Sequence, residues 1–235
     1  MRNSQRVMAG LLGGIVALLI VTAIWIKIGA PQRPQLSGER TTRSYDYADF
    51  AAVSVSGKWQ VTIERGDAWR VAIDVPAEVI DGVSVERRGE ALAVAYEGER
   101  WFGGFGRGDG DDFKATITMP ALESIELSGT STLSFSGFEG DRLSLTSSGA
   151  SEIRAAAGRF ETLVLVMSGA GNVDLDGLLV TNADIQTSGA GNLKLNMAGG
   201  RLTGSMSGAG NLDYRGTVSE QNVSTSGLVN VRPRN

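Results

Sequence analysis

Residues 168–173 read Ser-Gly-Ala-Gly-Asn-Val, and closely related phrases recur on both sides of this stretch. The Ser-Gly steps begin at Ser128, Ser148, Ser168, Ser188, Ser207 and Ser226, so successive steps are 20, 20, 20, 19 and 19 residues apart. A short fixed period is typical of a solenoid, in which each coil buries its apolar side against its neighbours. The repeat therefore predicts the architecture of this half of the chain.

Aliphatic residues recur at fixed offsets from the glycine of each Ser-Gly step. Four residues after the glycine lie Leu133, Ile153, Val173, Leu193, Leu212 and Val231. Four residues before it lie Ile125, Leu145, Leu165, Ile185 and Val223, with Gly204 in place of an aliphatic residue in one coil. Two such columns indicate inward-facing stacks of parallel strands about 4.8 Å apart, and a helical period is absent. We therefore predict an all-β fold, a single-stranded parallel β-helix (β-solenoid) with coils of about 20 residues, whose first coil turns at Gly57.

The Gly-Ala-Gly-Asn phrase resembles a phosphate-binding loop, but such a loop needs a following helix that presents its N–H groups to the anion. A strand pattern follows each phrase instead. Glycine and asparagine tolerate positive φ, so the phrase predicts a tight corner, with asparagines stacked on successive coils. The predicted corner and ladder residues are Gly169, Asn172, Gly189, Asn192, Gly208, Asn211, Gly227 and Asn230.

Charged residues of alternating sign stand five residues after the corner glycine, at Arg154, Asp174, Lys194, Asp213 and Arg232. Opposite charges on neighbouring strands attract one another and favour ionised carboxylates. We expect Asp174 and Asp213 to have partners on both sides and lowered pKa values. This disfavours a catalytic carboxylate pair in which one carboxyl acts as a general acid.

The region between Gly57 and Gly129 is less regular. Period-two alternation predicts strands at 71–75, 83–85, 91–95 and 115–119. These strands form either coils decorated with hairpins or a small sheet that caps the solenoid, since an open strand edge must be covered.

Residues 97–112, EGERWFGGFGRGDGDD, interrupt the strand pattern. Exposed aromatic residues on a loop are candidates for ligand contact, and these are Trp101, Phe102 and Phe105. Three carboxylates, Asp109, Asp111 and Asp112, are a weak candidate metal site. Their spacing is not that of a calcium loop, which favours a solvated tip.

Residues 7–26 carry no charge and are long enough to span a membrane as a helix. They predict a transmembrane signal anchor at 7–28, with a cytoplasmic tail at 1–6, a flexible linker at 29–45 and the solenoid at 46–235. A cleaved signal peptide is the alternative. The expected location is the bacterial cytoplasmic membrane, crossed once, with the large domain on the periplasmic side.

Composition excludes several function classes. The net charge of −4 and the absence of a Lys/Arg cluster argue against a nucleic-acid partner. With no histidine and no cysteine, the chain lacks the usual general base, the commonest zinc ligands and any thiolate nucleophile. No cofactor is expected, and an enzyme would depend on carboxylate, lysine or tyrosine side chains. The sequence does not indicate an oligomeric state.

The Ser-Gly-Ala-Gly-Asn phrases at Ser168, Ser188 and Ser207, after an opening Val-Ser-Val-Ser-Gly strand at 53–57, resemble the bacterial "putative autotransporter adhesin, head GIN domain" family. The resemblance covers residues 50–231, and the phrases at Ser128 and Ser148 depart from it. It implies a right-handed parallel β-helix on an exported or envelope protein. The predicted function is a non-catalytic, membrane-anchored module of the cell envelope, an adhesin or binding module for glycan, lipid or an envelope protein. A polysaccharide-processing enzyme is the alternative.

Overall fold

The computed structural model describes residues 38–97 and 113–234. A short 3₁₀ helix, η1 (Ala77–Gly82), lies among eleven strands in the described residues. The strands are β1 (Arg40–Tyr45), β2 (Ala52–Arg65), β3 (Arg70–Pro76), β4 (Val83–Arg88), β5 (Ala91–Tyr96), β6 (Lys114–Met119), β7 (Ser124–Ser136), β8 (Phe138–Ala155), β9 (Gly158–Ala198), β10 (Arg201–Thr217) and β11 (Glu220–Pro233).

The later strands stack in parallel, in the order β2, β7, β8, β9, β10 and β11. Each pairing aligns the corner glycines, so that Gly129 lies beside Gly57 and Gly227 lies beside Gly208. Strand β9 is 41 residues long and contains two coils, whose corners are at Gly169 and Gly189. The sequence period is therefore the spatial period of the stack, and the prediction of an all-β solenoid is confirmed.

The core of the solenoid consists of the predicted inward columns. Leu133, Ile153 and Leu193 are at most 1% exposed, and residues two positions further along, such as Phe135 and Leu195, form a second buried column beside them. Burying each such side chain contributes about 1.5–3 kcal/mol relative to leaving it in water. The columns thus hold successive coils together through a continuous apolar interior.

The corner glycines form a column in which, from Gly129 onward, an added side chain would collide with the backbone of the preceding coil. Gly57, Gly129, Gly149, Gly169, Gly189, Gly208 and Gly227 all have positive φ. A Cβ atom on Gly189 would lie 1.8 Å from the Gly169 carbonyl oxygen. Glycine is required here because consecutive backbones stack in close contact at a left-handed corner.

The first coil is covered on its outer side by both kinds of structure that the sequence left open. Strands β1, β3 and β6 form a small antiparallel sheet, and β6 pairs in parallel with the second half of β2. Strand β5 pairs in parallel with the first half of β2 and antiparallel with β4. The edge of β2 is therefore paired along both of its arms.

The predicted linker at 29–45 is too long at its C-terminal end. Residues 40–45 form β1, which pairs with β3 and is fixed by an ion pair between Arg40 Nε and Asp74 Oδ1 at 3.0 Å. The sequence signal is weak because β1 is an edge strand and most of its side chains are exposed. The predicted tail at 1–6 and signal anchor at 7–28 lie outside the described residues. Among the described residues, no helix is long and apolar enough to cross a membrane.

Candidate functional site

The outer surface of the corner carries a ladder of asparagine side chains. The Nδ2 group of Asn192 donates to Oδ1 of Asn172 at 3.0 Å, and Asn211 donates to Asn192 at 2.8 Å. Asn230 donates in turn to Asn211 at 3.3 Å. Each amide in the middle of the ladder thus uses one donor and one acceptor on its neighbours, as in stacked amide ladders generally.

A shallow pocket opens inside this corner, where the inward position two residues after the corner glycine is itself a glycine. Its lining includes Met167, Thr187, Met206 and Val229 together with the corner backbone. The pocket has room for about one water molecule. It is too small to receive a sugar ring or a phosphate group.

The column of alternating charges lies on the outer face of the strands that follow the corner. Lys194 Nζ contacts Asp174 Oδ2 at 2.9 Å, and Arg232 Nε contacts Asp213 Oδ1 at 2.7 Å. The predicted partners on both sides of each aspartate are not formed. Arg154 pairs instead with Glu152 of its own coil, two residues earlier on the same face, so its guanidinium turns away from Asp174.

The pKa of Asp174 lies below its ordinary value. Partial burial of the carboxyl by itself raises the pKa. Hydrogen bonds from Lys194 Nζ and from the backbone N–H of Asp176 together lower it by more, so the net shift is downward. The carboxyl is therefore ionised at neutral pH, as the charge column predicts. A general acid needs the opposite shift.

A second outward column, seven residues after the corner glycine, extends this surface and was missed in the sequence. The Arg234 guanidinium pairs with the carboxylate of Asp176, while Asn196 and Arg215 both donate to the Asp176 backbone carbonyl. The hydrogen bond with Asp176 raises the pKa of Arg234. Desolvation of the guanidinium acts in the opposite direction but is the smaller effect. The outward positions of the strand lie three, five and seven residues after the corner glycine. Following the alternation to the seventh position would identify these residues from the sequence.

Three aromatic side chains stand where the 98–112 segment leaves and rejoins the solenoid. Phe113 packs edge-on against Trp59 and against Tyr96, with ring centroids 5.2 Å apart in both pairs. Trp59 is buried and donates from Nε1 to the Ser56 carbonyl, whereas Tyr96 is 39% exposed. The described residues on either side of this segment, Tyr96 and Phe113, therefore belong to one aromatic group with Trp59.

The candidate contact residues of that segment, Trp101, Phe102 and Phe105, lie outside the described residues. So do the candidate metal ligands Asp109, Asp111 and Asp112. Within 38–97 and 113–234, no three His, Cys, Asp or Glu side chains are grouped so as to hold a metal ion.

The model of the family "Putative auto-transporter adhesin, head GIN domain" matches residues 49–217. The chain belongs to this family. Two solved structures share the fold of this head GIN domain. A putative adhesin from Bacteroides fragilis is 17% identical, with a TM-score of 0.67 over 85% of this chain and 99% of its own.

A putative adhesin from Parabacteroides merdae is also 17% identical, with a TM-score of 0.52 over 83% of this chain and 97% of its own. No curated protein matches the sequence. At this level of identity the structural comparisons show the fold of the head GIN domain alone.

Proposed function

We propose that this protein is a non-catalytic, adhesin-like binding module of the bacterial cell envelope. Residues 7–28 hold it in the cytoplasmic membrane, and the solenoid lies on the periplasmic side. Its ligand is a glycan, a lipid or an envelope protein. The family description and the names of the two structural neighbours support a binding role.

The observation that carries the non-catalytic part is the pairing of the carboxylates. Asp174 and Asp213, the best placed candidates for acid and base, each form an ion pair with a cation on the next coil. The lowered pKa of Asp174 keeps its carboxyl ionised, whereas glycoside hydrolysis requires a protonated carboxylic acid at the leaving group. This arrangement supports the binding module over a polysaccharide-processing enzyme.

The proposed ligand contact is the aromatic segment that contains Trp101, Phe102 and Phe105. Its two described ends are the exposed Tyr96 and the half-buried Phe113. Aromatic rings offer large apolar faces at low conformational cost, which suits contact with a sugar ring or an acyl chain. The asparagine ladder, whose amides bond to one another, is assigned a structural role.

The contact is tested with the full-length protein in detergent on an array of bacterial glycans, with lipid vesicles and envelope extracts as parallel probes. Trp101→Ala is expected to reduce binding at least tenfold, and Tyr96→Ala less. Asn192→Ala is the matched control on the ladder and leaves binding unchanged. Loss of binding in Asn192→Ala but not in Trp101→Ala would place the site on the repeat and contradict the proposal.

The non-catalytic assignment is tested on any glycan that the array identifies. We expect no cleavage after prolonged incubation, measured by mass spectrometry of the glycan. Cleavage that disappears in Asp174→Asn or Asp213→Asn, with the circular dichroism spectrum unchanged, would establish the enzyme instead.

The membrane assignment is tested by fractionation of cells that express the full chain. The protein is expected to stay in the membrane pellet after an alkaline wash and to be digested by protease added to intact spheroplasts. Digestion only after lysis would place the solenoid on the cytoplasmic side and overturn the proposed location.

A further inference from the structure

The two ends of the solenoid are finished differently. The first coil, β2, is covered by β5 and β6, whereas β11 pairs with β10 on one side and with no other strand in the described part of the chain. Val223, Val229 and Val231 occupy the inward columns of β11 and are only half-buried. Leu228, at the corner of the same coil, is 80% exposed.

The direction of the backbone groups follows from the bonds within the stack. Outward residues donate their N–H groups to the preceding coil, as Ser144 does to Glu123, Ala156 to Phe135 and Arg234 to Tyr214, at 2.7–3.1 Å. Because successive residues of a strand alternate, inward residues direct their N–H and C=O groups toward the following coil. In β11 these groups belong to Val223, Thr225, Val229 and Val231, and they face the open end.

These four residues are placed symmetrically about Gly227, at four and two positions before it and at two and four positions after it. Rotation of a second copy about a two-fold axis through Gly227 therefore lays β11 antiparallel on itself. Val223 then stands opposite Val231 of the partner subunit, and Thr225 stands opposite Val229 of the partner subunit. Both members of each pair direct N–H and C=O groups toward this end, where the described residues offer them no strand partner, and an antiparallel hydrogen-bonded pair requires such groups on both strands.

The same register agrees with the outer side chains. Glu220 falls opposite Arg234 of the partner subunit, so at each end of the joined strands a carboxylate comes near a guanidinium that also pairs with Asp176 of its own subunit. Leu228 falls diagonally across from Leu228 of the partner subunit, where long side chains reach one another. The four preceding coils carry alanine at this corner position, at Ala150, Ala170, Ala190 and Ala209. A shift by one residue would set inward against outward side chains, so the register is specific.

We propose that β11 is a docking surface for a second copy of this chain, which joins the first end to end through a two-fold axis at Gly227. The contact is isologous and continues the apolar interior from one subunit into the other. Because an isologous contact uses the same surface on both subunits, the assembly closes as a dimer and does not extend into a fibre. This inference does not depend on the ligand of the proposed function.

The proposal is tested by cross-linking, since the native chain contains no cysteine. Full-length Leu228→Cys in detergent, treated with a bismaleimide of about 8 Å span, is expected to give a covalent homodimer, because diagonal neighbours lie within that reach. Ala190→Cys is the matched control at the same corner position. Its two thiols would be about 24 Å apart, five coil spacings of about 4.8 Å, and should not be linked.

A second variant separates this contact from association through other parts of the chain. Val231→Lys places an ammonium group on the inward side of the open end, and it should reduce the cross-linked fraction of Leu228→Cys at least tenfold. Val164→Lys, which adds the same charge to the outer face of β9, should leave it unchanged. Circular dichroism checks that both variants keep the fold.

Three outcomes would overturn the proposal. The first is cross-linking of Leu228→Cys no greater than that of Ala190→Cys. The second is cross-linking that Val231→Lys does not reduce. The third is linkage of Leu228→Cys to a different protein in place of a second copy when the cross-linker is applied to whole membranes.

Discussion

The regular coils and the region before them solve the same packing problem by different means. From Ser124 onward, each coil pairs residue for residue with the next coil, which lies 20 or 19 residues further along the sequence. Small residues at the corner let the two backbones come into contact there. Residues 40–119 instead use short strands in mixed directions and large aromatic side chains. Both regions belong to one continuous hydrophobic core. Repetition extends a stack, and an irregular region is needed to end it.

The inward position two residues after the corner glycine shows the change most clearly. It is Trp59 in the first coil, Ser131 and Ser151 in the next two, and glycine in the three that follow. In the last coil it is Val229, so the side chain shrinks from the first coil to the fourth and is larger again at the open end. Trp59 therefore marks the place where the repeat meets its cap.

The largest expected effect comes from a side chain added to the corner column. Gly189→Ala combines a positive φ with a Cβ atom 1.8 Å from the Gly169 carbonyl, and should lower the free energy of unfolding by about 4 kcal/mol. Gly89→Ala, in the β4–β5 turn, has a positive φ but open space around the Cβ, and should cost about 1 kcal/mol. Urea unfolding of both variants measures the difference, and equal costs would show that close stacking is not what requires glycine.

The junction between the two regions should be nearly as sensitive. Trp59→Ala removes a side chain that is 1% exposed and packs on Phe113, so a loss of about 3 kcal/mol is expected from the cavity alone. Chemical denaturation monitored by circular dichroism gives the value. Tyr96→Ala, which removes the exposed partner of the same group, is the control and should cost less than half as much. A loss below 1 kcal/mol in Trp59→Ala would mean that the cap is not held by this side chain.

The ladder offers a smaller and graded effect within the regular coils. Asn192→Ala breaks a bond to Asn172 and a bond to Asn211, and should cost about 1 kcal/mol. Asn230→Ala at the end of the ladder breaks one bond and should cost about half of that. Thermal unfolding compares the two. A greater loss in the terminal variant would contradict a ladder in which each bond contributes separately.

The smallest effect concerns pH and the charged face. The folded pKa of Asp174 lies below its unfolded value, so its contribution to stability is present above the unfolded pKa and is lost as the pH falls through the folded pKa. Asp174→Ala should therefore lower the melting temperature slightly at pH 7, through about 0.3 kcal/mol for an exposed pair, and leave binding unchanged. The difference from the native protein should vanish once the pH has fallen below the folded pKa of Asp174. A difference that grows in acid would reverse the assigned sign.

The regular coils could be predicted from the sequence because a strand has only two faces. Leu133, Ile153 and Leu193 identify the inward face. The alternation of the strand and the repeat period then assign each remaining residue of the coil to the inward or the outward face. The fate of Arg154 could not be predicted in this way. Its guanidinium can reach Glu152 on its own strand as easily as Asp174 on the next, and alternation does not choose between two reachable carboxylates.

The region before the repeat was predicted as strands but not as a topology. The alternation in β3 and β6 identifies them as strands, while their pairing partners depend on contacts between residues far apart in sequence. Strand β1 falls within the predicted linker because Thr41 and Tyr45 are its only half-buried side chains, so no apolar alternation marks it as a strand. Outside the repeat, the sequence therefore indicates which segments are strands more reliably than it indicates which strands pair with one another.

The in-register corner column has a further consequence for how the domain can change in length. Each regular coil contacts only the coils before and after it, and the glycines of consecutive coils are aligned residue for residue. Removal of one whole period, such as the 20 residues from Gly149 to Ser168, would bring two equivalent corners together with every column still aligned. A duplication would do the reverse and displace the far end by about 4.8 Å. Tandem duplication or loss of whole coils therefore changes the length of the solenoid, and of the outer surface that it presents, without any change in the packing of its core.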